Sequence, residues 1–169
     1  MQQAQVTSTN STVDELFARF GAPAFVRQAT ADQTPTLWVS RDQILDVLAH
    51  LKPRFPMLLD LFGMDERLRE HKPAGAADFT VVYHLLNIAG REEIRLKVGV
   101  SDSDCKVPSA VRIWANANWY EREVWDLFGI KFTFDEHDLS PETHLSKFNI
   151  KDSKRGLIDK ILRLFQFLS

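Results

Sequence analysis

The sequence contains one cysteine, Cys105, in 169 residues. A single thiol excludes an intrachain disulfide and any zinc or iron–sulfur centre built from cysteines. The five histidines are scattered at positions 50, 71, 84, 137 and 144, without the grouping that a metal site requires. No apolar run approaches the eighteen or so residues of a transmembrane helix. The segment from Met1 to Thr12 is rich in Gln, Ser and Thr and lacks the apolar stretch of a signal peptide. Glycine-based phosphate motifs are also missing. Neither G-x-G-x-x-G nor G-x-x-x-x-G-K-[ST] occurs, and there is no G-x-S-x-G elbow. Dinucleotide binding, nucleoside triphosphate binding and serine hydrolysis therefore have no support, and no cofactor is expected. A net charge of -2 gives no basic excess to attract nucleic acid or an anionic membrane.

What is present belongs to an ordinary soluble domain, 44% hydrophobic and 26% charged. The length fits one core. Helical spacing over Val13–Phe20 ends at Gly21, with Thr12 as a possible cap. Strands are expected at Ala24–Thr30 and Thr36–Val39. Ser40 would cap a second helix with Ile44, Leu45, Leu48 and Leu51 on one side and Pro53 at its close. Further strands are expected at Met57–Phe62, Phe79–Ile88 and Ile94–Val100, the last two joined by a hairpin at Ala89–Glu92. Pro108–Trp114 reads as a short helix start, and Ile130–Phe134 as a final strand. The pattern predicts an α+β fold with helices packed on one mixed or antiparallel sheet. Residues 1–12 read as a flexible N-terminus, 13–134 as the domain, and 135–169 as a tail with an amphipathic helix over 154–168.

The richest stretch is Ala117–Ile130, which holds Trp119, Tyr120, Trp125, Phe128 and four ionisable side chains. At helical spacing Tyr120, Val124, Leu127 and Phe128 form an apolar stripe. Arg122, Glu123 and Asp126 occupy a second face, and Glu121 with Trp125 a third. Asn118 stands where an N-cap belongs with Glu121 three residues on, and Gly129 supplies a left-handed stop. A surface helix has no need of charges on two faces with a tryptophan between them. Tryptophan, tyrosine and arginine are the residue types that anchor protein interfaces. Since the stripe already supplies an inward face, Trp119 and Trp125 are expected to serve a partner. The three carboxylates Glu121, Glu123 and Asp126 lack the Glu-x-x-His pattern of carboxylate-bridged metal sites.

This stretch resembles the signature of the 30 kDa subunit, the C component, of the proton-pumping NADH:quinone oxidoreductase, respiratory complex I. That signature reads roughly E-R-E-x-x-D-[LM]-[FY]-G-[IV], and the match falls on Glu121, Arg122, Glu123, Asp126, Leu127, Phe128, Gly129 and Ile130. Asp60–Arg67 is similar to the family's D-x-x-G-x-D-x-R region. The wording is closest to bacterial forms in which C and D portions are fused into one polypeptide. It covers residues 12 to 133 and departs after Phe132. The resemblance implies a scaffold of the peripheral arm, with no catalytic site, cofactor or metal, docked against the D component and neighbouring arm subunits. Electrons would pass from NADH to quinone through those other subunits, on the cytoplasmic side of the bacterial inner membrane. Trp119, Glu121, Arg122, Glu123, Trp125, Asp126 and Gly129 are the expected docking residues. Two alternatives stand beside this reading. One is a small metal-dependent hydrolase or transferase using Asp65, Glu66 and the Glu121–Asp126 carboxylates. The other is a scaffold of a related membrane-bound hydrogenase or formate-linked complex.

Overall fold

Between residues 92 and 100 every second side chain is buried, which is how a strand with one face on a core reads. The preceding strand, Phe79–Asn87, is buried over nearly its whole first half, because it is central and covered on both faces. These two strands organise the domain. The computed structural model describes residues 12–134, and the expected N-terminal segment and the helix over 154–168 lie outside that range. In chain order the elements are α1 (residues 12–20), β1 (Phe25–Gln28), β2 (Thr36–Val39), α2 (Ile44–Leu51), β3 (Met57–Asp65), β4 (Phe79–Asn87), β5 (Glu92–Val100), β6 (Lys106–Pro108), α3 (Ala117–Phe128) and β7 (Lys131–Thr133).

The main sheet is mixed, with strand order β1-β2-β5-β4-β3. Hairpin pairing joins β3, β4 and β5, whereas β2 runs parallel to β5 with Leu37 opposite Leu96. One face carries Leu37, Leu61, Tyr83, Leu85, Ile94, Leu96 and Val98, and the helices bury it through Leu16, Ile44, Val47, Leu48 and Val124. Removing such side chains from water is the main source of stability. Across the other face runs the segment between β3 and β4, where Gly75 lies against the Trp38 ring. It is closed by Glu66 N–H to Asp78 O at 2.9 Å and covers Trp38 and Thr80, with its own Glu66 buried beside them. Glu66 accepts from Thr80 Oγ1 at 3.3 Å and pairs with Arg69 at 3.0 Å.

Several boundaries differ from the sequence-based expectation. The segment expected to start a helix, Pro108–Trp114, instead ends strand β6 and continues as turns. Val107 there pairs in parallel with Phe132 of β7, a non-local contact that helical periodicity cannot register. The final strand thus belongs to a small second sheet. In α2 the inward position is Val47 beside Ile44, Leu48 and Leu51, and Leu45 is only half-buried.

Edge strand β3 is closed at one end by the segment leading into α3 and by the first turn of α3 itself. Trp114 Nε1 donates to Pro56 O at 3.1 Å, Asn116 Nδ2 to Leu58 O at 2.9 Å, and Tyr120 OH to Leu59 O at 3.0 Å. Leu59 is the extra residue of a β-bulge, since the register skips between Leu58 and Asp60. Further along, α3 sits so close that a Cβ on Gly63 would stand 2.6 Å from Phe128 Cδ2. Only glycine permits that approach.

Candidate functional site

Successive residues of α3 are about 100° apart around its axis, so four side chains spaced i, i+3, i+4 and i+7 share a face. Ala117, Glu121 and Val124 are buried and Phe128 packs against the core, which defines the inward side. Trp119, Arg122, Glu123 and Asp126 have that same kind of spacing on the opposite side. Trp119 is 73% exposed and Leu127 62%, and Glu123 and Asp126 are also exposed. The Arg122 guanidinium lies 5.9 Å from the Trp119 ring centroid, within cation–π range. Trp125 is half-buried on the flank. Gly129 ends the helix with φ 73°, and its N–H bonds Trp125 O at 2.8 Å, as a left-handed C-cap does.

Three expectations about this helix are corrected. It begins at Ala117 after Asn116, and Asn116 makes no side-chain cap; its amide is engaged with Leu58 O, so Asn118 is not the cap. Leu127 leaves the inward stripe, and Ala117 takes the role assigned to it. Glu121, expected on an outward face, is only 5% exposed. Its carboxylate accepts Ser109 Oγ–H at 2.8 Å and Ala110 N–H at 2.7 Å. It tethers α3 to the turn after β6 and presents nothing to a neighbour. Burial pushes its carboxyl up to about 7, while the bonds from Ser109 and Ala110 pull the other way. Beneath α3, burial and then the Glu121 charge push the Tyr83 phenol above its ordinary value. The Tyr83 hydroxyl has no hydrogen-bond partner among the described residues.

The residues of the metal-hydrolase alternative are not brought together. Asp65 pairs with Arg67 at 2.6 Å, and that guanidinium holds its carboxyl below the usual range. Glu66 is enclosed by Thr80 and Arg69, and Glu121 by Ser109 and Ala110. Among the described residues, no group of three His, Cys, Asp or Glu side chains converges as metal ligands would. Sequence reasoning missed the inward role of Glu121. A signal existed, because residues 117, 121, 124 and 128 are spaced i, i+4, i+7 and i+11.

Residues 37–145 match the family described as respiratory-chain NADH dehydrogenase, 30 kDa subunit, so the match runs past residue 133, where the sequence reading places its end. The fused C/D subunit of the NADH-quinone oxidoreductase of Psychrobacter sp. strain PRwf-1 is 52% identical over 132 residues, which is 76% of this chain. The corresponding C/D protein of Pectobacterium carotovorum subsp. carotovorum strain PC1 is 49% identical over 129 residues, or 74% of this chain. The chain spans only 22% of the length of either relative. Among solved structures, a trypsin-resistant fragment of Nqo5 superposes with a TM-score of 0.63 at 27% identity, covering 76% of this chain and 98% of the fragment. A chain of the membrane-bound sulfane sulfur reductase, an archaeal respiratory membrane complex, shares the fold with a TM-score of 0.58 at 23% identity, covering 82% of this chain and 76% of that one.

Proposed function

The chain belongs to the respiratory-chain NADH dehydrogenase 30 kDa subunit family, and on that premise we propose that it is a docking domain of the peripheral arm of an NADH–quinone oxidoreductase. In this reading it carries no catalytic site and no cofactor of its own. It holds a D-type portion and neighbouring arm subunits in place while those subunits pass electrons from NADH to quinone. It would sit peripherally on the cytoplasmic side of the bacterial inner membrane, held there by the complex. Among the described residues, no helix is long and apolar enough to cross a membrane.

The observation that carries the reading is Trp119, 73% exposed on a helix whose inner face is already filled. Leaving so large an apolar ring in water is costly, and such rings serve as interface anchors. Trp119 is the anchor, with Trp125 contributing from the flank. Arg122, Glu123 and Asp126 make the polar contacts, and Gly129 aims the chain into Ile130–Phe134. Glu121 acts from inside, by holding α3 to Ser109 and Ala110.

The test is Trp119→Ala in the full chain, co-expressed with the other subunits. Its expected cost to assembly is about 2 kcal/mol, roughly thirtyfold, with quinone-linked NADH oxidation falling in parallel. Thermal unfolding of the purified chain should move by less than about 0.5 kcal/mol, because the ring is on the surface. Unchanged assembly and unchanged oxidation would refute the docking role.

A further inference from the structure

The outward face of α3 has an electrostatic order that its own domain does not use. Trp119 and Leu127 stand at its two ends, about 12 Å apart along the axis at 1.5 Å per residue. Glu123 and Asp126 lie between them. Neither carboxylate is in an ion pair among the described residues. Several carboxylates elsewhere are paired, Glu15 with His50, Asp32 with Arg95, Glu92 with Arg54 and Asp104 with Arg41, whereas Glu123 and Asp126 share one exposed face with an exposed tryptophan and leucine.

The placement along the helix sharpens the point. Asp126 lies in the last turn of α3, which has no basic residue, and the first turn has no acidic one. The carbonyl end of a helix carries partial negative charge, so cations are favoured there and carboxylates are not. Asp126 at that end therefore costs the isolated domain stability, and Glu123, one turn before it, adds a second carboxylate without an ion pair among the described residues. A positively charged partner would reverse the sign of that term. It would neutralise both carboxylates and complement the helix terminus at once.

Resting on the docking role proposed above, we infer that the surface received by α3 is cationic: a protein segment setting lysine or arginine side chains against Glu123 and Asp126, with apolar sockets for Trp119 and Leu127. Charge complementarity of this kind sets orientation and speeds encounter, and it weakens with salt. Arg122, over the Trp119 ring, lies one turn before Asp126, on the Asn116 side of both carboxylates. The docked partner is therefore oriented, with its basic groups toward Gly129 and not toward Asn116.

The experiment uses the tagged full chain co-expressed with the D-type portion of the Psychrobacter relative as probe, captured and washed at about 50 mM and about 300 mM salt. The double reversal Glu123→Lys with Asp126→Lys should lower retention of the probe at least tenfold. The neutral pair Glu123→Gln with Asp126→Asn should weaken it severalfold and abolish most of the salt response of the parent. Without the probe, the reversal should leave the melting temperature of the purified chain unchanged or higher, because lysines suit that helix end. Retention by the double reversal equal to the parent overturns the inference. If Trp119→Ala still weakens capture in that case, the docking role survives and only the cationic partner is wrong; if Trp119→Ala is also harmless, both fail. Sedimentation gives the last arm: a dimer of the full chain that Trp119→Ala dissolves would put a second copy on this face and would likewise overturn the inference.

Discussion

Glu121 is the point at which α3 is most open to perturbation by pH. In an unfolded chain its carboxyl titrates at an ordinary value near 4.5, and burial moves it to about 7 in the folded domain. Between those values the folded state holds a proton that the unfolded state has released. Stability is therefore greatest at and below the lower value. It falls as pH rises through the window and levels off above about 7. At about 1.4 kcal/mol per pH unit over about two and a half units, the loss is about 3 kcal/mol, or about 10 °C in melting temperature.

Glu121→Gln removes this dependence while keeping the shape. Its amide oxygen can accept the Ala110 N–H, now 2.7 Å from the carboxylate. The Ser109 hydroxyl, now donating at 2.8 Å, can turn to accept from the amide nitrogen. Fitting an amide where the protonated carboxyl is held by Ser109 and Ala110 costs about 1 kcal/mol. The variant should thus be slightly less stable than the parent at pH 5 and about 2 kcal/mol more stable at pH 8. Urea unfolding of both proteins at half-unit pH steps measures the difference directly, and whatever the two proteins share cancels in the comparison. A parent-minus-variant difference that stays flat between pH 5 and 8, or rises with pH, would refute a buried, charge-destabilised carboxylate at this position.

Two further outcomes follow from packing. Gly63→Ala forces a methyl to within 2.6 Å of the Phe128 ring, so α3 must lift or Phe128 must leave its rotamer; denaturant unfolding should report a loss of about 1–3 kcal/mol. Tyr83→Phe removes a fully buried hydroxyl that has no partner among the described residues, and should raise stability by about 1 kcal/mol in the same assay. A loss of stability instead would mean that the hydroxyl has a partner in solution.

The sheet strands are readable because each of their signals is local. Alternation along residues 92–100 and the near-continuous apolar run of 79–87 record a strand with one covered face and a strand with two. The parallel pairing of β2 with β5 leaves no such trace, since it depends on everything folded between Val39 and Glu92. The turn after Pro108 is misread for the same reason: Val107 is fixed by Phe132, twenty-five positions downstream. In α3 the period is legible and the phase is not. A glutamate at an inward position looks outward to any hydrophobicity count, and only Ser109 and Ala110, brought back by the fold, make that position tolerable for a carboxylate. Once Glu121 is placed inside, the outward set of Trp119, Arg122, Glu123 and Asp126 follows from helical spacing alone.

The three side-chain bonds from Trp114, Asn116 and Tyr120 onto the margin of β3 have a consequence for solubility. A bare sheet margin recruits other chains and seeds aggregates. With the carbonyls of Leu58 and Leu59, and of Pro56 just before the strand, already occupied, that end of β3 offers a stray neighbour fewer groups to pair with. Trp114, Asn116 and Tyr120 thereby keep part of this margin from pairing with a second copy of the chain.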